Sequence, residues 1–343
     1  MHVNAVGPQE AHRTSRRLTW MDLLRGTAVL LVMLNHTVNM AHIDGWPMPE
    51  WMLDVTRPFE PFRLPMLLLI SGLFLPRALA KPVGTYVSGK LRNLAWPLFL
   101  WAPVTVLTHV PERAWDPQAY LGTSHLWYLL TLLFCYAVGL VAHKLGAGSK
   151  WFPMWVLPAA SLLVLFVWLP DQVNFFWFGA FFFAGAALVP YVKRLQEAHW
   201  SVFAVLAGAT AIGSWLHVAK ITQGQSLLTF ALAVAGCGAM VWLAPRIPRV
   251  ALVRGLEAIG RRSIIYYVVH LPVIAALYNV LQPLGVPTEV AVGLAVVVSF
   301  VVPLLLTRVR GIDVLFSFPA GRRRPASDRA TTSEDVPEPV ASR

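Results

Sequence analysis

The stretch that decides the fold is LTWMDLLRGTAVLLVMLNHTVNM, residues 18–40. It is mostly apolar and long enough for the roughly 20 residues that carry a helix across a bilayer core about 30 Å thick. Yet it holds Asp22, Arg25 and His36. Ionisable side chains inside a span are costly and face the protein interior or a watery cavity. Arg25 and His36 are eleven residues apart. At about 100° per residue that is three turns plus about 20°, so both occupy one helix face, about 16 Å apart along the axis. Asp22, one turn before Arg25, shares that face. The arginines ahead of the run, Arg13, Arg16 and Arg17, resemble a signal-peptide n-region. Arg25 interrupts the run, however, and no small-x-small site follows Asn39, so the expectation is an uncleaved first span.

Nine further apolar runs follow, at about 61–80, 92–110, 125–143, 152–169, 173–191, 200–218, 226–244, 263–281 and 288–307. The composition agrees. Of 343 residues, 57% are hydrophobic and 13% charged, against about 45–50% and 25% in a soluble domain. The expected fold is therefore an all-α, polytopic membrane bundle of about ten transmembrane helices. Residues 1–17 read as an N-terminal tail and 18–307 as the membrane domain. Residues 308–343 read as a basic tail that turns disordered from Phe318, where Pro, Ser, Thr and charge accumulate.

Net charge is +11, but the basic residues sit in short clusters between apolar runs. Nucleic-acid binding is not expected, because no base-reading module is present. Cys135 and Cys237 lie in separate runs, so neither a disulfide framework nor a metal site is expected. Of the 28 Lys and Arg residues, only Arg57, Arg63, Arg113 and Lys220 fall on the odd-numbered connections, and Arg25 lies within the first span. The positive-inside rule then places both termini in the cytoplasm and the chain in the cell membrane as a multi-pass protein.

Two readings of the first-span stripe are open. One is an end-of-helix ion pair between Asp22 and Arg25 with a satisfied core histidine. The other is chemical, and the shared face favours it. His36 can take a proton from a hydroxyl near neutral pH. Arg25 can hold a phosphate or steady developing negative charge, with Asp22 orienting it. An arginine toward the cytoplasmic mouth with a base farther in suits a phosphate-bearing donor.

At these residues the sequence resembles the membrane-bound acyltransferase 3 family, whose first span has the form LDxLRGxAxxxVxxxH. Further stretches are similar in the family's order: FRLPMLLLISGLFL (62–75), KLRNLAWP (90–97), SHLWYLLTLLF (124–134), FGAFFFAGAAL (178–188) and IGRRSIIYYVVHLPV (259–273). The family often has two arginines three apart at the third-helix entry, where this chain has Lys90 and Asn93 with Arg92 between. The resemblance implies transfer of an acyl group, often acetyl, from acyl-CoA to a hydroxyl of a carbohydrate or other glycan or lipid-linked acceptor. It implies that Arg25, Lys90 and Arg92 meet the coenzyme A phosphates, and that His36, Arg25 and Asp22 are the catalytic set. A covalent acyl-histidine is a second route.

Other residues keep two readings. His125 and Trp127 are an interfacial belt or an acceptor site, and Arg63 is a helix-end anchor or an acceptor contact. Arg261 and Arg262 are topological anchors or phosphate contacts. His270, with Tyr266 one turn before it, suits a structural bond between helices. Ser71 and Gly72 read as a close helix-packing site rather than a nucleophile, since no nucleophile elbow surrounds Ser71. The rival function is a transporter or flippase for a polar lipid or glycan, using the same stripe as a substrate contact or proton relay. It would predict inverted repeats, and none is visible in the sequence.

Overall fold

Apolar runs bounded by proline, glycine and charge become helices here, because only internally hydrogen-bonded backbone is tolerated in hydrocarbon. The computed structural model describes residues 8–121, 125–169, 171, 173–222 and 224–319, and among these there is no β-strand. Eleven helices matter to the site. They are α1 (Pro8–Ile43), α2 (Glu60–Leu73), α3 (Trp96–His109), α4 (Trp127–Lys144), α5 (Val156–Val167) and α6 (Val173–Leu188). They continue with α7 (Trp200–Val218), α8 (Leu227–Leu243), α9 (Ala251–Arg261), α10 (Ser263–Leu281) and α11 (Thr288–Leu306).

Seven helical stretches among the described residues are long and apolar enough to cross a membrane: Glu50–Leu79, Trp127–Lys144, Val173–Glu197, Trp200–Val218, Leu227–Arg246, Ser263–Leu281 and Thr288–Leu306. The remaining three expected runs are also helical. In α1 the polar residues Arg25, Asn35, His36 and Asn39 dilute the apolar character. Helix α3 has 14 residues and α5 has 12, fewer than the roughly 20 a perpendicular span needs. A π-turn at Leu91–Ala95 leads into α3. Such bulges recur at functional sites.

Helical structure extends into both tail segments. Helix α1 begins at Pro8, inside the segment read as a tail. Beyond α11, Ile312–Leu315 form a 3₁₀ turn. The segment around it is strapped to the start of α3: the Trp96 indole donates to the Val314 carbonyl at 2.7 Å and the Trp101 indole to that of Leu315 at 3.1 Å. Phe318 packs edge-on against Trp96, so the expected disorder does not begin there. The remainder of the tail expected to be disordered, from residue 320, lies outside the described residues. Helix α9, which the sequence reading leaves in a loop, is amphipathic and buries Val253, Glu257, Ile259 and Gly260.

Glycines set two helix contacts. A Cβ on Gly260 would stand 1.8 Å from the Asp22 carbonyl oxygen, and one on Gly26 would stand 2.0 Å from that of Leu256. Helices α1 and α9 therefore touch backbone to backbone. Gly72 and Gly185 do the same for α2 and α6, with Cβ positions 1.8 Å from the Phe182 oxygen and 2.0 Å from the Leu69 oxygen. This is the small-residue packing expected at Ser71–Gly72, and it is how helices associate without a hydrophobic driving force between them. The buried centre of the bundle includes Met33, Leu68, Ile70, Phe181, Phe182, Phe183 and Tyr278. The tight α1–α9 contact fixes where the polar face of α1 points.

Candidate active site

The polar stripe of α1 meets two different environments. Toward its basic end is a cavity of about 520 Å³, within the usual range for ligand sites. Five basic side chains line it: Arg25, Lys81, Lys90, Arg261 and Arg262. Asp313 is the only carboxylate on its wall among the described residues. The Arg25 guanidinium lies 5.3 Å from the Phe74 ring centroid, and Arg262 donates to the Thr307 carbonyl. Lys90 ends the short helix Val83–Lys90, ahead of the third span. Its ammonium sits over the Tyr136 ring at 3.2 Å from the centroid and 5.6 Å from that of Tyr86. Burial, with Lys81 nearby, pushes the Lys90 ammonium down to about 8. Desolvation and a like charge both disfavour the protonated form.

Hydroxyls form the inner wall. Ser71 donates to the Leu67 carbonyl at 2.8 Å and lies 3.5 Å from the Tyr128 hydroxyl. The Tyr136 hydroxyl donates to the Ser71 carbonyl at 3.3 Å, and that of Tyr86 to the Tyr136 carbonyl at 2.7 Å. Tyr267 also lines the cavity. Its ring centroid is 5.0 Å from that of Tyr128, 5.3 Å from His125 and 6.0 Å from His270. Its hydroxyl donates to the His125 carbonyl. His36, His125 and His270 do not line the cavity, and Tyr267 touches both it and the histidines.

Behind Tyr267 the three imidazoles converge. His36 Nδ1 is 2.8 Å from His270 Nε2, and the two rings stack at 5.0 Å. His125 stands edge-on to both, at 6.4 Å from His36 and 5.0 Å from His270. His270 is fully buried and His125 nearly so, while His36 keeps partial exposure. Among the described residues neither ring nitrogen of His125 makes a hydrogen bond of good geometry, with the Tyr267 and Val268 backbone as its nearest polar neighbours, and Nη1 of Arg63 makes none. Arg63 lies 3.6 Å from Glu60, which also accepts from His217 at 2.8 Å. Buried polar groups without partners are uncommon and mark places where a ligand or water completes the site. Among the described residues no group of histidines, cysteines and carboxylates has the geometry to hold a metal ion.

The expected residues therefore divide. Arg25 and Lys90 share the cavity, joined by Arg261, Arg262 and Lys81. Lys81 lacked a sequence signal beyond its charge. Arg92 does not line the cavity; its Nε donates to the Phe318 carbonyl at 2.8 Å. Instead Asn93, on the π-turn, faces the cavity and accepts from Ser317 at 2.7 Å. Asp22 has no ion pair within 4.0 Å among the described residues; its charged neighbours are Arg25, Arg261 and Glu257. Glu257 is buried and held by a two-pronged bond from Arg249, at 2.6 and 3.0 Å. His36 and His125 come together. Trp127 packs on Phe178 at 4.9 Å. Tyr128 and Tyr267 were missed, because an aromatic on a helix reads as core.

These features define a helical membrane protein with a cationic cavity at one end and a buried histidine cluster beyond it. Residues 18–308 match the family model described as an acyltransferase domain, acyltransferase 3, and the chain belongs to that family. It is 25% identical over 241 residues to an inner membrane protein of Escherichia coli (strain K12), YcfT. That match covers 59% of this chain and 66% of YcfT, a little under two thirds of its length. No solved structure matches.

Proposed function

We propose that the protein is a multi-pass acyltransferase of the plasma membrane. It moves an acyl group, acetyl in the simplest case, from acyl-CoA to a hydroxyl of a carbohydrate or other cell-envelope acceptor. The observation that carries this is the cavity of about 520 Å³ with five basic side chains and one carboxylate, set against a three-histidine cluster. Phosphates are bound by such clusters through charge-assisted hydrogen bonds. In the proposed topology ten helices cross the membrane with both termini cytoplasmic, and the cavity opens to the cytoplasm where acyl-CoA is made. Reporter fusions at Gly84 and Ser149 should then report cytoplasm, and one at Gly45 the outside.

In this reading Arg25, Lys90, Arg261 and Arg262 hold the phosphates, and the thioester end passes the Tyr128–Tyr267 pair. Arg63, His125 and Trp127 lie on the acceptor's side. His36 takes the proton from the acceptor hydroxyl. The oxygen attacks the thioester carbonyl carbon, the C–S bond breaks, and the proton is returned to the leaving sulfur. The products are an ester and free coenzyme A.

The test is purified protein with isotope-labelled acetyl-CoA and a panel of glycans, read by mass spectrometry. Labelled acetyl on an acceptor oxygen, with stoichiometric coenzyme A release, is expected. Movement of a labelled glycan across vesicles with no acyl-CoA consumed would overturn the proposal in favour of a transporter.

A further inference from the structure

The histidine pair fixes which nitrogen of His36 is free to react. His270 Nδ1 lies 3.0 Å from the Tyr266 carbonyl oxygen. A carbonyl oxygen only accepts, so His270 Nδ1 carries the proton. In neutral His270 the other nitrogen, Nε2, is then an acceptor. It faces His36 Nδ1 at 2.8 Å, so His36 Nδ1 must carry a proton and donate it. The lone pair of His36 is left on Nε2. That atom is not among the buried, unpartnered ones, and His36 is the member of the cluster that keeps partial exposure.

We propose that His270 is a positioning residue: it holds His36 as the Nδ1–H tautomer, so that Nε2 is the proton acceptor, and it receives the Nδ1–H bond when His36 becomes an imidazolium. A neutral imidazole does here what a carboxylate does behind the histidine of other acyl-transfer sites. Three features of the chain build the device. His270 is fully buried, so water does not compete for its nitrogens. It lies one turn after Tyr266 on the same helix, which brings its ring to that carbonyl. The stacked arrangement, with rings inclined by 22°, aligns one nitrogen of each ring. Among the described residues no carboxylate bonds to either ring, so the relay ends on a backbone carbonyl.

The inference rests on the acyltransferase reading only for its turnover arm. The spectroscopic arm uses ¹⁵N-histidine-labelled protein in lipid bilayers, where the two neutral tautomers give distinct nitrogen signals. The His36 signals are assigned by their loss in His36→Gln. The expected result is Nδ1–H at His36 in the wild type, retention in His270→Gln, whose amide oxygen can still accept, and a shift toward Nε2–H in His270→Leu. In the turnover arm His270→Leu should lower kcat by about 10²-fold or more, within the range for a misplaced base. The acyl-CoA KM should stay within about threefold of wild type, since the cavity residues that hold the donor are untouched. His270→Gln should recover most of kcat. An Nε2–H tautomer at His36 in the wild type would overturn the proposal. So would an unchanged kcat in a folded His270→Leu protein with measurable wild-type activity. Absence of turnover in the wild type would count against the acyltransferase reading and leave the tautomer result to decide this one.

Discussion

The two ends of the α1 stripe handle polarity in opposite ways. At the cavity end the charges outnumber their partners: five basic side chains face an open volume with one carboxylate. Their strength comes from number and from the scarcity of counter-charge. At the histidine end two of the three imidazoles are buried, and one chain of partners is specified atom by atom, from His36 to His270 to the Tyr266 carbonyl. The first arrangement suits tight but tolerant binding of an anion. The second suits proton transfer, where geometry decides the rate. Binding and chemistry should therefore separate on mutation.

The largest expected effect tests the buried end. His36→Ala should lower turnover by about 10²–10⁴-fold, the usual size of general-base loss, while the amount of folded protein in the membrane holds. Steady-state kinetics on detergent-purified variants measures it. Near-normal turnover would remove His36 from the chemistry and break the comparison at once.

A smaller effect sharpens the cavity end. Lys90 is pushed down to about 8 by burial and Lys81. It is charged below that pH and neutral above it, so coenzyme A affinity should fall between pH 7 and pH 9. Exchanging a charge-assisted hydrogen bond for a neutral one costs about 1 kcal/mol, or about fivefold in Kd. The Lys90→Met protein should bind more weakly at pH 7 and lose that slope. A pH dependence as steep in Lys90→Met as in the wild type would assign it to another group.

The smallest effect is at Arg92. Its Nε is engaged with the Phe318 carbonyl, away from the cavity. Arg92→Ala should change coenzyme A affinity by less than about threefold, within the range of a peripheral charge. A loss as large as that of Arg25→Ala would show that the strap opens and frees Arg92 for the donor.

Much of this was legible in the chain. The 3.6-residue repeat put Arg25 and His36 on one face, and the apolar runs located the long helices to within a few residues except at the start of α1, which extends back to Pro8. Gly72 read as a packing residue and is one. What the chain could not show was which helix ends meet. Arg92 and Lys90 look equivalent in KLRNLAWP, but the π-turn rotates Arg92 toward Phe318 and Asn93 toward the cavity. Asp22 and Arg25 look like an ion pair at one-turn spacing. Yet the backbone of Asp22 is pressed against Gly260, and its carboxylate sits among Arg25, Arg261 and Glu257 without a bond to any of them. Tyr128 and Tyr267 lie inside two of the stretches similar to the family, but nothing in their spacing singled them out; only the fold sets them between the cavity and the histidines. The amphipathic helix α9 was hidden by its short length and by Glu257, a charge that the fold buries against Arg249.

The most direct test of this division is calorimetric titration of coenzyme A into wild type, Arg25→Ala and His36→Ala under one set of conditions. A charge-assisted contact contributes about 1.5–3 kcal/mol, or roughly one to two decades in Kd. The account predicts that loss in Arg25→Ala and an affinity within about twofold of wild type in His36→Ala. Arg25→Lys should recover part of it, keeping the charge without the planar fork. Equal affinity in Arg25→Ala and wild type, or an equal loss in His36→Ala, would contradict the separation of donor binding from chemistry along α1.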